Sequence, residues 1–157
     1  MTKNSAIFKE TCNMLLESKM FNHLPSAELT TAARYFTIDG YTKGQTIFKE
    51  GDMGSFMCIV HEGRVSIIKT DKDLNEVVMG TERAGRAFGE MAVIDGERRS
   101  ATCVADTDCT LLTIAKSQLA KMIDEEPRVG AKILSAIAVS LSQRMRATAG
   151  RLVDYLD

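Results

Sequence analysis

The sequence predicts an α+β fold in which helices at both ends flank an antiparallel β-roll. Two observations carry that expectation. Between about residues 37 and 115 the chain runs in short alternating segments broken by glycine- and aspartate-containing turns. Over about 5–36 and 117–156 its apolar residues instead recur at helical spacing. With 157 residues, 45% hydrophobic and 26% charged, the chain has the length and composition for one packed core, and it reads as a single domain over 1–157.

The spacing predicts a first helix over residues 5–20 and a second over 26–36. In the second, Ser26 after Pro25 is placed to cap the N-terminus, and Leu29, Ala32, Ala33 and Phe36 share one face. Glu28 then falls in the first turn, where a carboxylate suits the helix dipole. The strand candidates follow in order as TIDGYTK, QTIFKE, SFMCIVHE, RVSIIKT, EVVMGT, SATCVAD and CTLLTIA. Between them stand the turn signals Gly51-Asp52-Met53-Gly54, Glu62-Gly63, Asp71 to Asn75 and Asp106 to Asp108. Turns every ~8–12 residues indicate antiparallel strands rather than βαβ units. Near the end, Ser117 is expected to cap a short helix reaching Glu126, and Pro127 suits the first turn of a long helix running towards Tyr155.

Composition excludes several functions. A net charge of −1 offers no bulk basicity, so direct binding of nucleic acid or anionic membrane by this chain is not expected. No apolar run approaches the ~20 residues of a membrane span. Charges interrupt every apolar run of the N-terminus, which lacks the pattern of a signal peptide, and the expectation is a cytoplasmic protein. Cys12, Cys58, Cys103 and Cys109 form no C-x-x-C pair and read as buried free thiols. Cys103 and Cys109 flank a predicted hairpin turn, so they could lie close while staying reduced in the cytoplasm. His23 and His61 alone cannot build the metal cluster of a β-roll enzyme, and no Ser-His-Asp or Cys-His arrangement has support; no catalytic activity and no cofactor are expected.

The stretch FGEMAVIDGERRSAT, residues 88–102, assembles the parts of an anion site. Gly89 and Glu90 follow a strand end, Met91 to Ile94 can make one turn of helix, and Asp95-Gly96 break it. Gly89 has no Cβ to keep a ligand from the backbone. A helix starting near Glu90 leaves N–H groups around Met91 and Ala92 without internal partners, and these make a cradle for an anion. Arg99 can add a charged, two-pronged contact, and Ser100 a hydroxyl and a backbone N–H. A cyclic nucleotide monophosphate offers matching chemistry: one negative charge, a ribose 2′-hydroxyl and a purine. Glu90 beside a phosphate makes sense if its carboxylate accepts the 2′-OH proton. The competing reading makes Arg98 and Arg99 solvated strand-edge charges paired with Glu97 or Asp95.

Phe88-Gly89-Glu90-Met91-Ala92-Val93 followed by Arg99-Ser100-Ala101-Thr102 resembles the phosphate-binding cassette of the cyclic nucleotide-binding domain family. That family is shared by bacterial catabolite activator proteins, protein kinase regulatory subunits and nucleotide-gated channels. A second signature of the family resembles Gly51-Asp52 through Phe56, Ile59, Val60, Gly63 and Val65. The resemblance implies a jelly-roll-like double-stranded β-helix that binds cAMP, or cGMP, since Ser100 leaves the base undecided. It assigns Glu90 to the ribose 2′-OH, Arg99 to the phosphate, and Gly89, Met91, Ala92 and Ser100 to the cradle. Gly51 and Gly63 become turn residues. Arg98 stands where many members carry proline, which implies a looser loop and a second cation. A residue of the last helix covers the base in family members, and Arg144 or Arg146 is the polar candidate.

The family often joins a helix-turn-helix domain after the long helix. No such segment follows here, so the expectation is a sensor without an attached output domain, acting on an unknown effector protein. The alternatives are the sensor part of a longer transcription regulator, or a dimerisation or protein-docking module that works without nucleotide. Ala138, Leu141, Met145, Thr148, Leu152 and Tyr155 alternate three and four residues apart, the seam of a two-stranded coiled coil and hence a homodimer through this helix. The same stripe could pack on the chain's own roll. Gly150 weakens the helix by about 1 kcal/mol, which suits a helix that nucleotide orders.

Overall fold

Two four-stranded antiparallel sheets form the roll of the computed structural model, which describes residues 3–156. Met1, Thr2 and Asp157, which the single-domain expectation also takes in, lie outside the described residues. The helices α1 (Lys3–Glu17) and α2 (Ser26–Ala33) precede the strands β1 (Thr37–Tyr41), β2 (Thr46–Phe48), β3 (Phe56–Glu62), β4 (Arg64–Thr70), β5 (Glu76–Arg83) and β6 (Ala87–Phe88). Then come α3 (Glu90–Asp95), β7 (Thr102–Ala105), β8 (Cys109–Ala115), α4 (Lys116–Glu125) and α5 (Pro127–Leu156). One sheet has the order β1-β8-β3-β6, the other β2-β7-β4-β5. The α+β β-roll with helices at both ends is as the sequence predicts.

The alternation of side chains along β3 and β8 explains why two cores exist. Met57 and Ile59 of β3, with Leu112 and Ile114 of β8, face the helices and meet Leu15, Phe21, Leu29, Met122, Ile133 and Ile137. Cys58, Val60 and Leu111 face the other way, into the roll, where Phe48, Val65, Phe88 and Cys103 join them. Because both faces of β3 are covered, its middle reads as a continuous apolar run rather than an alternation. β5 closes the second sheet as an edge strand, and Val77, Val78 and Met79 on it are exposed.

Several boundaries differ from the sequence reading, each for a local reason. Helix α1 ends at Glu17 instead of residue 20, because the Ser18 hydroxyl donates to the Leu15 carbonyl and accepts from the Phe21 N–H. Helix α2 stops at Ala33, and Tyr35 and Phe36 make only tight bonds to the carbonyls three residues back. Ser26 is not the N-cap. Pro25 holds that position with φ −55° and ψ 141°, and Ser26 is already helical. Ser117 does not cap α4 either, since β8 runs straight into it through the extended Ala115. An eighth strand, β6, has only two residues, too few to show a period of its own. Cys103 and Cys109 flank no hairpin: β7 and β8 belong to different sheets, and residues 106–108 cross between them. Both thiols are buried and free, as is Cys58, while Cys12 is half-buried. Burial pushes the Cys58 and Cys103 thiols up to about 12.

Helix α5 runs for 30 residues, but only its first half lies on the rest of the chain. Val129, Gly130, Ile133, Ala136 and Ile137 are buried, Leu141 is half-buried against the same core, and every described residue from Met145 onward is exposed. Lys132 pairs with Glu28 at 2.7 Å and fastens α5 to α2. The crossing with α4 depends on Gly130, where a Cβ would stand 2.8 Å from the Ile123 Cα. A backbone atom cannot rotate aside as a flexible side chain can. Gly130→Val is therefore expected to cost about 1–3 kcal/mol by forcing the helices apart. A urea titration reads this as a lower midpoint at unchanged slope. An unchanged midpoint would show that the crossing yields freely.

Candidate functional site

The site begins where β6 gives way to α3. Gly89 sits in the left-handed region, φ 77° and ψ 14°, and turns the chain so that α3 starts at Glu90. A Cβ at Gly89 would meet an Arg99 guanidinium nitrogen at 2.9 Å and a Phe48 ring carbon at 3.3 Å, so only glycine fits between them. The short helix ends at Gly96, also left-handed, which the Asp95-Gly96 break anticipates. Through Ala92, α3 packs against Gly54, where there is no room for a Cβ.

The loop that follows is pinned rather than loose, contrary to what arginine in place of proline at position 98 implies. The Arg99 N–H donates to the Asp52 carbonyl at 2.7 Å, the Gly51 N–H to the Arg99 carbonyl at 2.8 Å, and the Gly54 N–H to the Glu97 carbonyl at 3.2 Å. The first and third of these bonds make an isolated bridge between Met53 and Arg98. The Arg98 side chain adds a bond to the Gly51 carbonyl at 2.9 Å, so this second cation is employed in holding the loop. The glycine-aspartate turn of the second motif thus serves as a brace for the first, with Gly51 itself at φ 87° and Gly63 at φ 94° in turns.

Gly89, Glu90, Met91, Ala92, Arg99, Ser100 and Arg144 all line one cavity of about 140 Å³. Met91 and Ser100 are exposed at its rim, and Ala92 is buried. Arg146, the other base-contact candidate, is exposed on α5 and does not line the cavity.

Glu90 is only 2% exposed although it carries a carboxylate. Its Oε1 accepts a hydrogen bond from the Ser140 hydroxyl at 3.1 Å and another from Arg144 at 3.2 Å. The same Arg144 nitrogen reaches the Ala87 carbonyl at 2.6 Å and Glu82 Oε1 at 3.2 Å. Two carboxylates, from β5 and α3, therefore share one guanidinium from α5. Burial raises the Glu82 carboxyl above its usual range, and Arg144 and Arg86 pull against that shift. The sequence reading missed Ser140 and Glu82. The one available sign was that Ser140 and Arg144 stand four apart, on one face of a helix.

Arg99 is 5% exposed, so it is not a solvated strand-edge charge paired with Glu97 or Asp95. It donates to the Gly89 carbonyl at 3.2 Å and to the Phe56 carbonyl at 2.6 Å. Its Cζ lies 3.7 Å from the centre of the Phe48 ring and 4.7 Å from that of Phe56. Burial pulls the guanidinium below its usual value, yet an arginine stays charged at any working pH. The Nε is buried with no hydrogen-bond partner among the described residues. Among the described residues no group of three or more His, Cys, Asp or Glu is placed to hold a metal ion, and no helix is long and apolar enough to cross a membrane.

The β-roll thus buries a carboxylate and a guanidinium in the wall of one cavity, at the start of a short helix. The family model for the cyclic nucleotide-binding domain matches residues 39–126. Over 126 residues the chain is 30% identical to the cyclic AMP receptor protein of Thermus thermophilus, taking in 80% of this chain and 58% of that protein. Over 92 residues it is 35% identical to the cAMP-dependent protein kinase regulatory subunit of Eremothecium gossypii, covering 59% of this chain and 19% of the relative. The crystal structure of a cyclic nucleotide-binding domain from Methylobacillus flagellatus superposes with a TM-score of 0.83 at 25% identity, over 94% of this chain and 83% of that one. The chain belongs to the cyclic nucleotide-binding domain family. It spans little more than half of the bacterial receptor and about a fifth of the kinase subunit.

Proposed function

We propose that this chain is a cyclic-nucleotide sensor which binds a 3′,5′-cyclic purine nucleotide, cAMP in preference to cGMP, and passes the bound state to another protein through α5. The observation that carries the reading is the pair Glu90 and Arg99, 2% and 5% exposed, lining the same cavity. Neither charge is needed to pack a roll, and each is costly to bury without a task. The phosphate would lie against the first N–H groups of α3, at Met91 and Ala92, and against Arg99, with Gly89 and Ser100 completing the cradle. The ribose 2′-OH would donate to Glu90, whose two bonds from α5 both fall on Oε1. Arg144 is our candidate on α5 for contact with the ribose and base, a reading supported by its lining the cavity. The names of the relatives in Thermus and Eremothecium support cAMP as a ligand, and relatives named cGMP-dependent protein kinases keep cGMP as the competing one.

Ligand then engages the very carboxylate that fastens α5, and this makes α5 the natural output. Its exposed residues Ala138, Met145, Thr148, Leu152 and Tyr155, with half-buried Leu141 beside them, support a homodimer through this helix. The common core of helices and roll supports one sensing unit, and the free thiols suit the cytoplasm.

Calorimetry with cAMP, cGMP and 5′-AMP tests the reading. Arg99→Ala is expected to lose about 2–4 kcal/mol of cAMP binding, because a charge-assisted contact disappears and the phosphate is left poorly paired. Equal affinity in the variant would remove Arg99 from the site, and no heat with any cyclic nucleotide would leave a docking module instead. Glu90→Gln is expected to weaken cAMP while sparing the 2′-deoxy analogue, which lacks the hydroxyl; equal losses would return Glu90 to a structural role. Sedimentation and hydrogen exchange over residues 136–156, with and without cAMP, test the output. A monomer at high concentration with unchanged exchange would rule out dimer and switch together.

A further inference from the structure

Arg99 is a buried cation that the protein has not given a carboxylate. Among the described residues no Asp or Glu lies within ion-pair distance of it. Its direct contacts are neutral, the carbonyls of Gly89 and Phe56 and the ring faces of Phe48 and Phe56, and Asp52 acts on it only from a distance. A guanidinium taken from water without a counter-ion is costly to hold. The negative face of an aromatic ring offsets part of that cost, and does so more strongly where water is excluded.

Phe48 is built to stay in that position. It is 8% exposed, and its ring is set edge-on to Phe56 at 5.9 Å and tilted against Phe88 at 5.9 Å. The same ring closes on Gly89, since a Cβ there would come within 3.3 Å of it. Phe48 therefore lies against both the glycine and the arginine of the anion site from β2, roughly forty and fifty residues earlier in the chain. Phe56 contributes twice, with its ring at 4.7 Å and its carbonyl at 2.6 Å.

We infer that Phe48, with Phe56, is an aromatic clamp that positions the Arg99 guanidinium in the cavity wall, its charge unmatched by a carboxylate of the described residues and its buried Nε–H without a partner among them. The clamp thereby sets how tightly the phosphate of a cyclic nucleotide is held. A carboxylate in place of these rings would have neutralised Arg99 before any ligand arrived. Phe48 acts through Arg99 and is a positioning residue. The inference rests on the nucleotide reading of the site, and the test separates the two.

Phe48→Leu keeps an apolar side chain and removes the ring, and Phe48→Tyr keeps the ring. By calorimetry, Phe48→Leu is expected to bind cAMP roughly tenfold more weakly, and Phe48→Tyr much as the parent does. In an Arg99→Gln background, titrated at higher nucleotide concentration, Phe48→Leu is expected to cost little more. Phe56→Leu retains the backbone carbonyl and serves if Phe48→Leu does not fold. It is expected to show a smaller loss that also vanishes in the Arg99→Gln background. A readout without nucleotide is the Arg99 Nε–H proton resonance, moved upfield by the ring current in the parent and in Phe48→Tyr, and back towards its ordinary position in Phe48→Leu. Unchanged affinity in the folded leucine variants, or an equal loss with and without the arginine, overturns the clamp while leaving the nucleotide site standing. If the parent binds no cyclic nucleotide, the site reading falls. The resonance then decides the clamp alone, upholding it if the signal moves on loss of the ring and overturning it if not.

Discussion

The bond from Arg144 to Glu90 and Glu82 is the constraint on which the arrangement of this molecule turns. It joins three elements that are distant in the chain: β5 at the sheet edge, α3 at the cavity, and α5. Above this point α5 is held by apolar contacts at Val129, Ile133, Ala136 and Ile137, and below it nothing on the described chain covers the helix. A single guanidinium thus marks where α5 stops belonging to the roll. Its removal would strand a carboxylate that is 2% exposed, and a buried charge without a partner is more damaging than the pair is stabilising.

The two charges of the cavity are treated in opposite ways. Glu90 has a cation and a hydroxyl to satisfy it within the protein. Arg99 has only carbonyl dipoles and ring faces, and one N–H goes unused. An anionic ligand would find its counter-charge waiting, while a hydroxyl donor would have to share a carboxylate already in service to α5.

The linear pattern revealed the roll, the long last helix and the cassette because each depends on residues close in sequence. Gly89 must be glycine for a local reason, the left-handed turn into α3, and so the motif is visible in the string itself. The failures have a different character. Ser26 and Ser117 have the chemistry of helix caps, but an adjoining proline and an adjoining strand take that position in each case. Cys103 and Cys109 look like the arms of a hairpin, yet their strands belong to opposite sheets. Arg98 suggests a loose loop until the braces from Gly51, Asp52 and Gly54 are seen.

What the sequence by itself determined was the inventory: a roll between helices, a glycine-glutamate turn, an arginine ten residues later, and a helix longer than one roll can cover. Period and local backbone preference suffice for these, since they act over a few residues. What only the tertiary structure decided was the partnership of charges. Ser140 and Glu82 reach Glu90 and Arg144 from α5 and β5, and Phe48 and Phe56 enclose Arg99 from β2 and β3. Burial and pairing are properties of the space between elements, and a one-dimensional pattern records which side chains exist without recording which of them meet.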